Sequence, residues 1–346
     1  MKDRISLAME GVGAGLFWIL GGFTLLILTA PFFWMGEALS DLRWHMGFTA
    51  LLPALPGVLL LPRRRLTFVG LFAMGLLNVM PGMRVFVPPN DKPFEAGTEL
   101  SVVEVHWGSA PTAALEEYVA KDAPDILVVT GLDEFSRETL KESLIAWPHV
   151  KAWPPLQVDG SGGTAHLTED STMIFSMLPL EDFSVLGFGM GACLVESELD
   201  LGDLPVPLRV AVLPPPGPGA IGTSRTALLA ELEKRQWPPR GILLADLGSS
   251  DATPAFSELL AATEYADGRR GFGRMATLPA SLFGFPLGSL RVPGEFLLHG
   301  DEVRILDQHT EALRAAEREL IGLADDPNAP TLRLIRTRLL IKGLAP

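Results

Sequence analysis

LSVVEVHWGSAPTAALEEYVAKDAPDILVVTGL, Leu100 to Leu132, is the stretch from which the fold can be read. Leu100 to Val105 alternates and is rich in β-branched residues, as a strand with a buried face requires. Pro111 to Ala120 carries apolar residues at helical spacing with Glu116 and Glu117 outward, and Ile126 to Val129 is a continuous apolar run suited to a buried strand. Together they make a strand, helix, strand unit. Working outward, strands are expected at Thr172 to Phe175, Ala192 to Val195, Leu208 to Leu213, Ile242 to Leu244, Glu295 to Leu298 and Val303 to Leu306. Helices are expected at Arg225 to Lys234 and Pro254 to Thr263, the second entered through Thr253 as N-cap with Pro254 at the first helical position. Strands in two runs, each relieved by a helix, imply a four-layer α/β sandwich of two mostly antiparallel sheets flanked by helices. Thr310 to Ala324 reads as a charged helix, whereas Leu332 to Ile341, alternating basic and apolar, suits either an edge strand or a short surface helix.

Upstream the composition changes. No Asp, Glu, Lys or Arg occurs from Gly11 to Gly36, from Trp44 to Pro62 or from Leu66 to Met83. Helices of such length cross about 30 Å of hydrocarbon with their backbone hydrogen bonds satisfied internally. Residues 1–84 are therefore expected to hold three transmembrane helices, about 12–34, 44–62 and 66–83. The first apolar run exceeds the core of a cleaved leader, and Pro31 follows its small-residue site at Thr29 and Ala30. Pro53 and Pro56 mark the second run for a kink or a re-entrant element. Lys2 and Arg4 before the first run, and Arg63, Arg64 and Arg65 between the second and third, place both points in the cytoplasm. Everything after Arg84 is then extracytoplasmic, as in a multi-pass bacterial inner-membrane protein with a periplasmic C-terminal domain. Gly11, Gly15, Gly21 and Gly22 suit close helix approach, and Asn78 suits an interhelical hydrogen bond. Residues 85–98, with Pro88, Pro89, Pro93 and Gly97, read as a linker.

The 346-residue chain carries a net charge of −13, which disfavours a nucleic acid partner. Its one cysteine, Cys193, sits between Ala192 and Leu194 and reads as a buried strand residue. His106, His149, His166 and His299 lack the paired spacing of a zinc site, and Gly160 to Gly163 lacks the Lys-Ser/Thr of a phosphate loop. Arg269, Arg270 and Arg274 with Phe272 form a basic cluster read as an exposed, solvated loop.

Several blocks, in order, are SVVEVHWG (Ser101–Gly108), APDILVVTGL (Ala123–Leu132), STMIFSMLPL (Ser171–Leu180), LRVAVLPPPGPG (Leu208–Gly219), LLADLGSSDATPAFSELLAAT (Leu243–Thr263), EFLLHG (Glu295–Gly300) and DQHTEAL (Asp307–Leu313). In order and spacing they resemble the endonuclease/exonuclease/phosphatase (DNase I-like) superfamily, in its bacterial membrane-anchored branch, over about residues 98–311. The resemblance implies hydrolysis of phosphate esters with a divalent metal held by carboxylates and an amide, and a His-Asp pair handling protons. The chain departs from that pattern. Glu104 stands where the family has an Asn ligand, and Thr130 and Gly131 stand where it has a Gln-Glu pair whose Glu is the principal metal ligand. Leu213 replaces a His, and Gly294 and Glu295 fall on an Asp-His pair. Asp246, Leu247 and Gly248 keep the carboxylate of an Asp-x-Asn motif without its amide, while Asp307, Gln308 and His309 keep only the histidine of Ser-Asp-His. Asp246 and His309 are the catalytic remnants.

Domain boundaries follow at 99–311 for the endonuclease/exonuclease/phosphatase-like domain and 312–346 for a C-terminal extension. The favoured function is a membrane-anchored, catalytically inactive scaffold or subunit of a membrane complex, with no cofactor. One alternative is a divergent Mg²⁺-dependent phosphodiesterase or phosphatase, in which Glu104, Asp246 and His309 hold one metal with help from Asp133 or Glu134. A third is a lipid or nucleotide binding module. The expected partners are the lipid bilayer and other membrane protein subunits, with Leu213 to Pro218 and Ser281 to Leu290 as candidate contact surfaces.

Overall fold

The computed structural model describes residues 2–88, 96–107, 112–132, 134–144, 146–153, 171–202, 205–273, 275, 278–282, 285–292, 294–313 and 332–343. Asp133, Arg274, His166, the Gly160 to Gly163 turn and most of the expected tail helix lie outside the described residues. The chain opens with α1 (Lys2–Leu28), α2 (Trp34–Ser40), α3 (Arg43–Leu60) and α4 (Arg65–Met83). Next come β1 (Gly97–His106), α5 (Thr112–Lys121), β2 (Ile126–Leu132), α6 (Glu134–Ser143), β3 (His149–Trp153), β4 (Ser171–Ser176), β5 (Leu180–Gly189), β6 (Ala192–Asp200) and β7 (Pro205–Val212). The remainder is α7 (Ala220–Leu232), β8 (Ile242–Asp246), α8 (Pro254–Thr263), β9 (Ala266–Asp267), β10 (Leu278–Leu282), β11 (Phe285–Val292), β12 (Glu295–His299), β13 (Val303–Leu313) and β14 (Leu332–Lys342).

These strands form two six-stranded sheets, ordered β13-β14-β1-β2-β4-β3 and β5-β6-β7-β8-β12-β9, and a separate β10-β11 hairpin. β1 pairs parallel with β2 across α5, and β7 with β8 across α7, while the remaining pairings are antiparallel. Successive strand residues point to opposite faces, and the chain uses both. Val102, Val128 and Ile174 of the first sheet meet Val195, Val210, Leu244 and Leu297 of the second in the core between them. Val103, Val105, Leu127 and Phe175 turn the other way, under Leu115 and Val119 of α5 and Leu140 of α6. Ala211, Leu243, Ala245 and Phe296 do the same beneath Leu228 and Leu232 of α7 and Phe256 and Leu259 of α8. Helix, sheet, sheet, helix is the four-layer sandwich expected.

Three expectations change. The segment read as an extension after residue 311 supplies β14, which pairs antiparallel with β1 and with β13 and so lies inside the first sheet. Leu334, Leu339 and Ile341 are buried there, which is why this alternating segment is a strand rather than a surface helix. The helix expected from Thr310 yields to β13, which continues to Leu313. Residues 12–34 are not one helix, because the chain turns over Thr29 to Phe33 around Pro31 and restarts as α2.

α1 and α4 contain apolar stretches, Ala8–Leu28 and Arg65–Phe86, of the length and composition that cross a membrane, a property also met in core helices and leader sequences. α3 contains Pro53 and Pro56. Asn78 Nδ2 donates to Thr24 Oγ1 at 3.0 Å, joining α4 to α1. Close approaches fall at Gly47 and Gly75 of α3 and α4, whereas Gly11, Gly15 and Gly22 face open space. The helical region docks on the sandwich: Asp41 Oδ1 accepts the Ser250 amide at 2.7 Å, and Val85 O accepts those of Gly271 and Gly273 at 2.8 and 3.2 Å. The first residues of the expected linker are thus seated on the domain.

Candidate functional site

At one end of the intersheet core the inward register changes from apolar to polar. β1 continues Leu100, Val102 with Glu104, His106; β2 continues Ile126, Val128 with Thr130; β8 continues Ile242, Leu244 with Asp246; β12 begins at Glu295, opposite Asp246. Pairing in register brings five polar side chains from four strands together.

Asp246 is their hub. Its Oδ2 accepts the Thr130 hydroxyl at 2.6 Å and lies 2.7 Å from His106 Nδ1, and its Oδ1 accepts the Gly248 amide at 3.2 Å. Burial pushes this carboxyl upward, but the His106 charge and hydrogen bond, with Thr130 and Gly248, outweigh it and hold it below the usual range. Gly248 adopts φ +56°, and a Cβ there would come within 2.8 Å of Pro215 N, so the turn that aims its amide at Asp246 requires glycine. Gly131 has φ +67°, and a Cβ on it would lie 2.9 Å from His106 Cε1. The imidazole occupies the space a side chain at 131 would take. His106 itself keeps 30% of its side chain exposed, giving the cluster a face to solvent.

Glu104 and Glu295 differ from Asp246. Both are buried, and no carboxyl oxygen of either has a well-formed hydrogen bond, the nearest backbone donors to Glu295 being its own amide and that of His106. Burial, then the charges of Glu295 and Asp246, push Glu104 well above the carboxylate range. Burial and Asp246, opposed by His106, push Glu295 up to about 8. Both carboxyls are biased toward the protonated form, while Asp246 is held toward the charged one.

The superfamily's divalent metal does not fit these donors. Among the described residues no three His, Cys, Asp or Glu side chains are grouped to hold one ion. Both oxygens of Asp246 are occupied by the chain's own donors. A hard cation requires several free oxygens on one centre. Nor does His309 complete the set. On β13 it lies opposite Arg336, which lies opposite Val103, and that row faces α5: Arg336 binds Asp122 at the end of α5. His309 is 41% exposed and 3.4 Å from Asp307, away from the intersheet core. Leu213, where the resemblance expects a histidine, is buried beneath α7 and α8.

The residues that do meet Asp246 are ones the family pattern passes over: His106, set aside for lack of zinc spacing, and Thr130 and Glu295, counted as losses. One signal for them is present in the sequence, namely inward-facing positions that turn polar at strand ends. Thr130→Val is expected to destabilise the folded protein by about 1 to 3 kcal/mol by removing a donor from a buried charge, measured by denaturant unfolding of the full chain in detergent.

No family model matches the sequence and no curated protein matches it. Solved structures do. An endonuclease/exonuclease/phosphatase from Beutenbergia cavernae DSM 12333 is 14% identical over 71% of this chain and 72% of its own, with a TM-score of 0.51. An endonuclease/exonuclease/phosphatase family protein from Bacteroides thetaiotaomicron is 8% identical over 72% of this chain and 100% of its own, also at 0.51. Truncated Caenorhabditis elegans TDP2 is 16% identical over 70% and 98%, with a TM-score of 0.50. The chain has the fold of the endonuclease/exonuclease/phosphatase superfamily.

Proposed function

We propose that this protein is a membrane-anchored domain of the endonuclease/exonuclease/phosphatase fold that has lost metal-dependent catalysis and serves as a scaffold or subunit of a membrane complex. One observation carries the loss of catalysis: His106 packs on Gly131 and bonds to Asp246, filling the place of the principal metal-binding glutamate and saturating the surviving carboxylate. Residues that act as a unit fail together, so a site lacking its metal ligands retains little rate.

The anchor reading is supported by the helical surface. Among the described residues, Met177, Leu186, Met190 and Phe272 are the large apolar side chains exposed beyond residue 87, whereas α1 to α4 and their turns expose Trp18, Leu25, Phe32, Leu52, Leu59, Leu66, Met80 and many others. A patch of that extent on a soluble surface requires a cover, and a bilayer supplies one. α1, α3 and α4 are the three spans, with the N-terminus and Arg63 to Arg65 cytoplasmic and the sandwich periplasmic. An alkaline phosphatase fused at the C-terminus is expected to be active, and a green fluorescent protein dark.

The second reading, a divergent hydrolase, has its own support: a carboxylate-held, part-exposed imidazole is the arrangement of a general base. One experiment separates the two. With Mg²⁺ or Mn²⁺, the full chain in detergent is expected to hydrolyse bis(p-nitrophenyl) phosphate no faster than Asp246→Ala, with no heat of metal binding. Metal-dependent turnover lost in both Asp246→Ala and His106→Ala would establish the hydrolase instead. A protein that stays monomeric and without a companion after crosslinking in native membranes would count against the scaffold.

A further inference from the structure

A cleft of about 300 Å³ lies where the turn after α1 meets α7 and α8. Its walls carry Phe32, Phe33, Trp34 and Glu37 on one side and Arg225 and Glu258 on the other. Arg225 is already committed: its guanidinium binds Glu37 at 2.5 Å, Leu247 O at 3.2 Å and Pro214 O. Glu258 has no hydrogen bond or ion pair among the described residues, and burial, with the charges of Glu37 and Glu233 acting against Arg225, raises its pKa. Two carboxylates against one guanidinium leave one negative charge beside three aromatic rings, which is chemistry that holds an ammonium group.

The cleft also has a positive end. Gly222 of the first turn of α7, and Pro254 and Ala255 of the first turn of α8, line it. Gly219 and Thr253, the N-caps of these helices, make no side-chain capping bond. Each helix start carries about half a positive charge; Pro254 has no N–H, so the first-turn donors that line the cleft are the amides of Ala255 on α8 and Gly222 on α7. The whole cleft is then near neutral, with the Glu258 carboxylate one turn along α8 from that helix's positive start, and it matches a ligand that is itself dipolar. Its position selects the source. The apolar stretch of α1 ends at Leu28, two residues before the lining begins at Ala30, and Phe32 at the mouth is 90% exposed. A spanning helix ends at the level of lipid headgroups.

We propose that this cleft binds the zwitterionic headgroup of a membrane phospholipid, its ammonium against Glu258 and the aromatic rings and its phosphate at the first turns of α7 and α8. The inference rests on α1 spanning a bilayer, as proposed above.

Native mass spectrometry of the full chain in detergent, with phosphatidylethanolamine and phosphatidylglycerol of equal acyl length offered together, tests it. Phosphatidylethanolamine is expected to be retained roughly tenfold better, and the preference to vanish in Glu258→Lys and Phe32→Ala, both at exposed positions and both with unchanged melting temperature. Equal retention of the two lipids, or a preference intact in both variants, overturns the proposal. Soluble phosphoethanolamine binding as tightly as the lipid overturns the lipid source, and much weaker binding supports it. Carbonate extraction of native membranes, run alongside, separates the two levels: a chain that resists extraction but shows no preference sinks only the headgroup site, while a chain released by carbonate sinks the spanning reading as well.

Discussion

Arg269→Ala is expected to destabilise the sandwich by about 3 to 5 kcal/mol, because it leaves two carboxylates buried without their cation. Arg269 is 0% exposed. Its Nε and Nη2 donate to Asp267 at 3.0 and 2.7 Å, its Nη1 donates to Asp251 at 3.2 Å, and its guanidinium lies 4.5 Å from the Phe296 ring and 5.2 Å from that of Phe256. Burial raises the pKa of Asp267, but the charge and hydrogen bonds of Arg269 prevail and hold it low. Without that partner both aspartates must take up protons or water must enter. Arg269→Lys keeps the charge but loses the two-pronged grip on Asp267 and the flat stacking surface, so it is expected to recover only part of the loss. Chemical denaturation of the full chain in detergent measures both. A loss below about 1 kcal/mol for the alanine variant would place the triad among weak surface pairs and contradict its burial. The loop after Arg269 also supplies the amides of Gly271 and Gly273 to Val85, so the variant is expected to loosen the seat of the helical region and to speed proteolysis between it and β1.

Stability is expected to fall as pH rises from about 5 to 9. Glu295 is the clearest contributor: its folded pKa of about 8 stands above its ordinary 4.5, so the folded protein holds a proton that the unfolded chain releases. The contribution is complete below the unfolded value and is lost as pH rises through the folded one. A shift of that size is on the order of 5 kcal/mol between the two limits. Glu104, raised by the same burial and by the same neighbours, acts in the same direction, as does Asp41, raised to about 7 chiefly by burial. Asp246 and Asp267 have depressed values, so their stabilisation is lost toward acid and stays constant over this window. Glu295→Gln retains shape and removes the proton, so its melting temperature is expected to depend less on pH and to exceed the parent's at pH 9. Equal slopes for the two proteins would show that Glu295 is ionised in the folded state.

The reading of Leu100 to Leu132 survives in the structure because alternation and helical spacing record which face of each element is buried, and burial is what sheets and helices are built to satisfy. The same holds for Ile242 to Leu244, Glu295 to Leu298 and the start of α8 at Pro254, although Thr253 before it makes no side-chain capping bond. Places where sequence reasoning failed share a cause. Arg269 looked like part of a solvated loop because Asp267 two positions away suits an exposed pair equally well, while its burial under Phe256 and Phe296 and its second partner Asp251, eighteen positions away, lie beyond any local window. Leu332 to Ile341 fitted strand and helix equally until β1 and β13 offered edges on both of its sides. His309 kept the family's residue type in a row that turns out to face α5.

What the sequence by itself determined is the layering: apolar periodicities specify two sheets with helices outside and an apolar helical region ahead of them, since each pattern states locally which surface leaves water. The cluster is another matter. That His106 fills the space above Gly131, that Asp246 draws its donors from two strands and its own turn, and that Glu104 and Glu295 are pushed toward the protonated form were decided only by strand register. Charge and hydrogen-bond energies depend on distances between residues far apart in the chain, and those distances exist only once the two sheets have closed on each other.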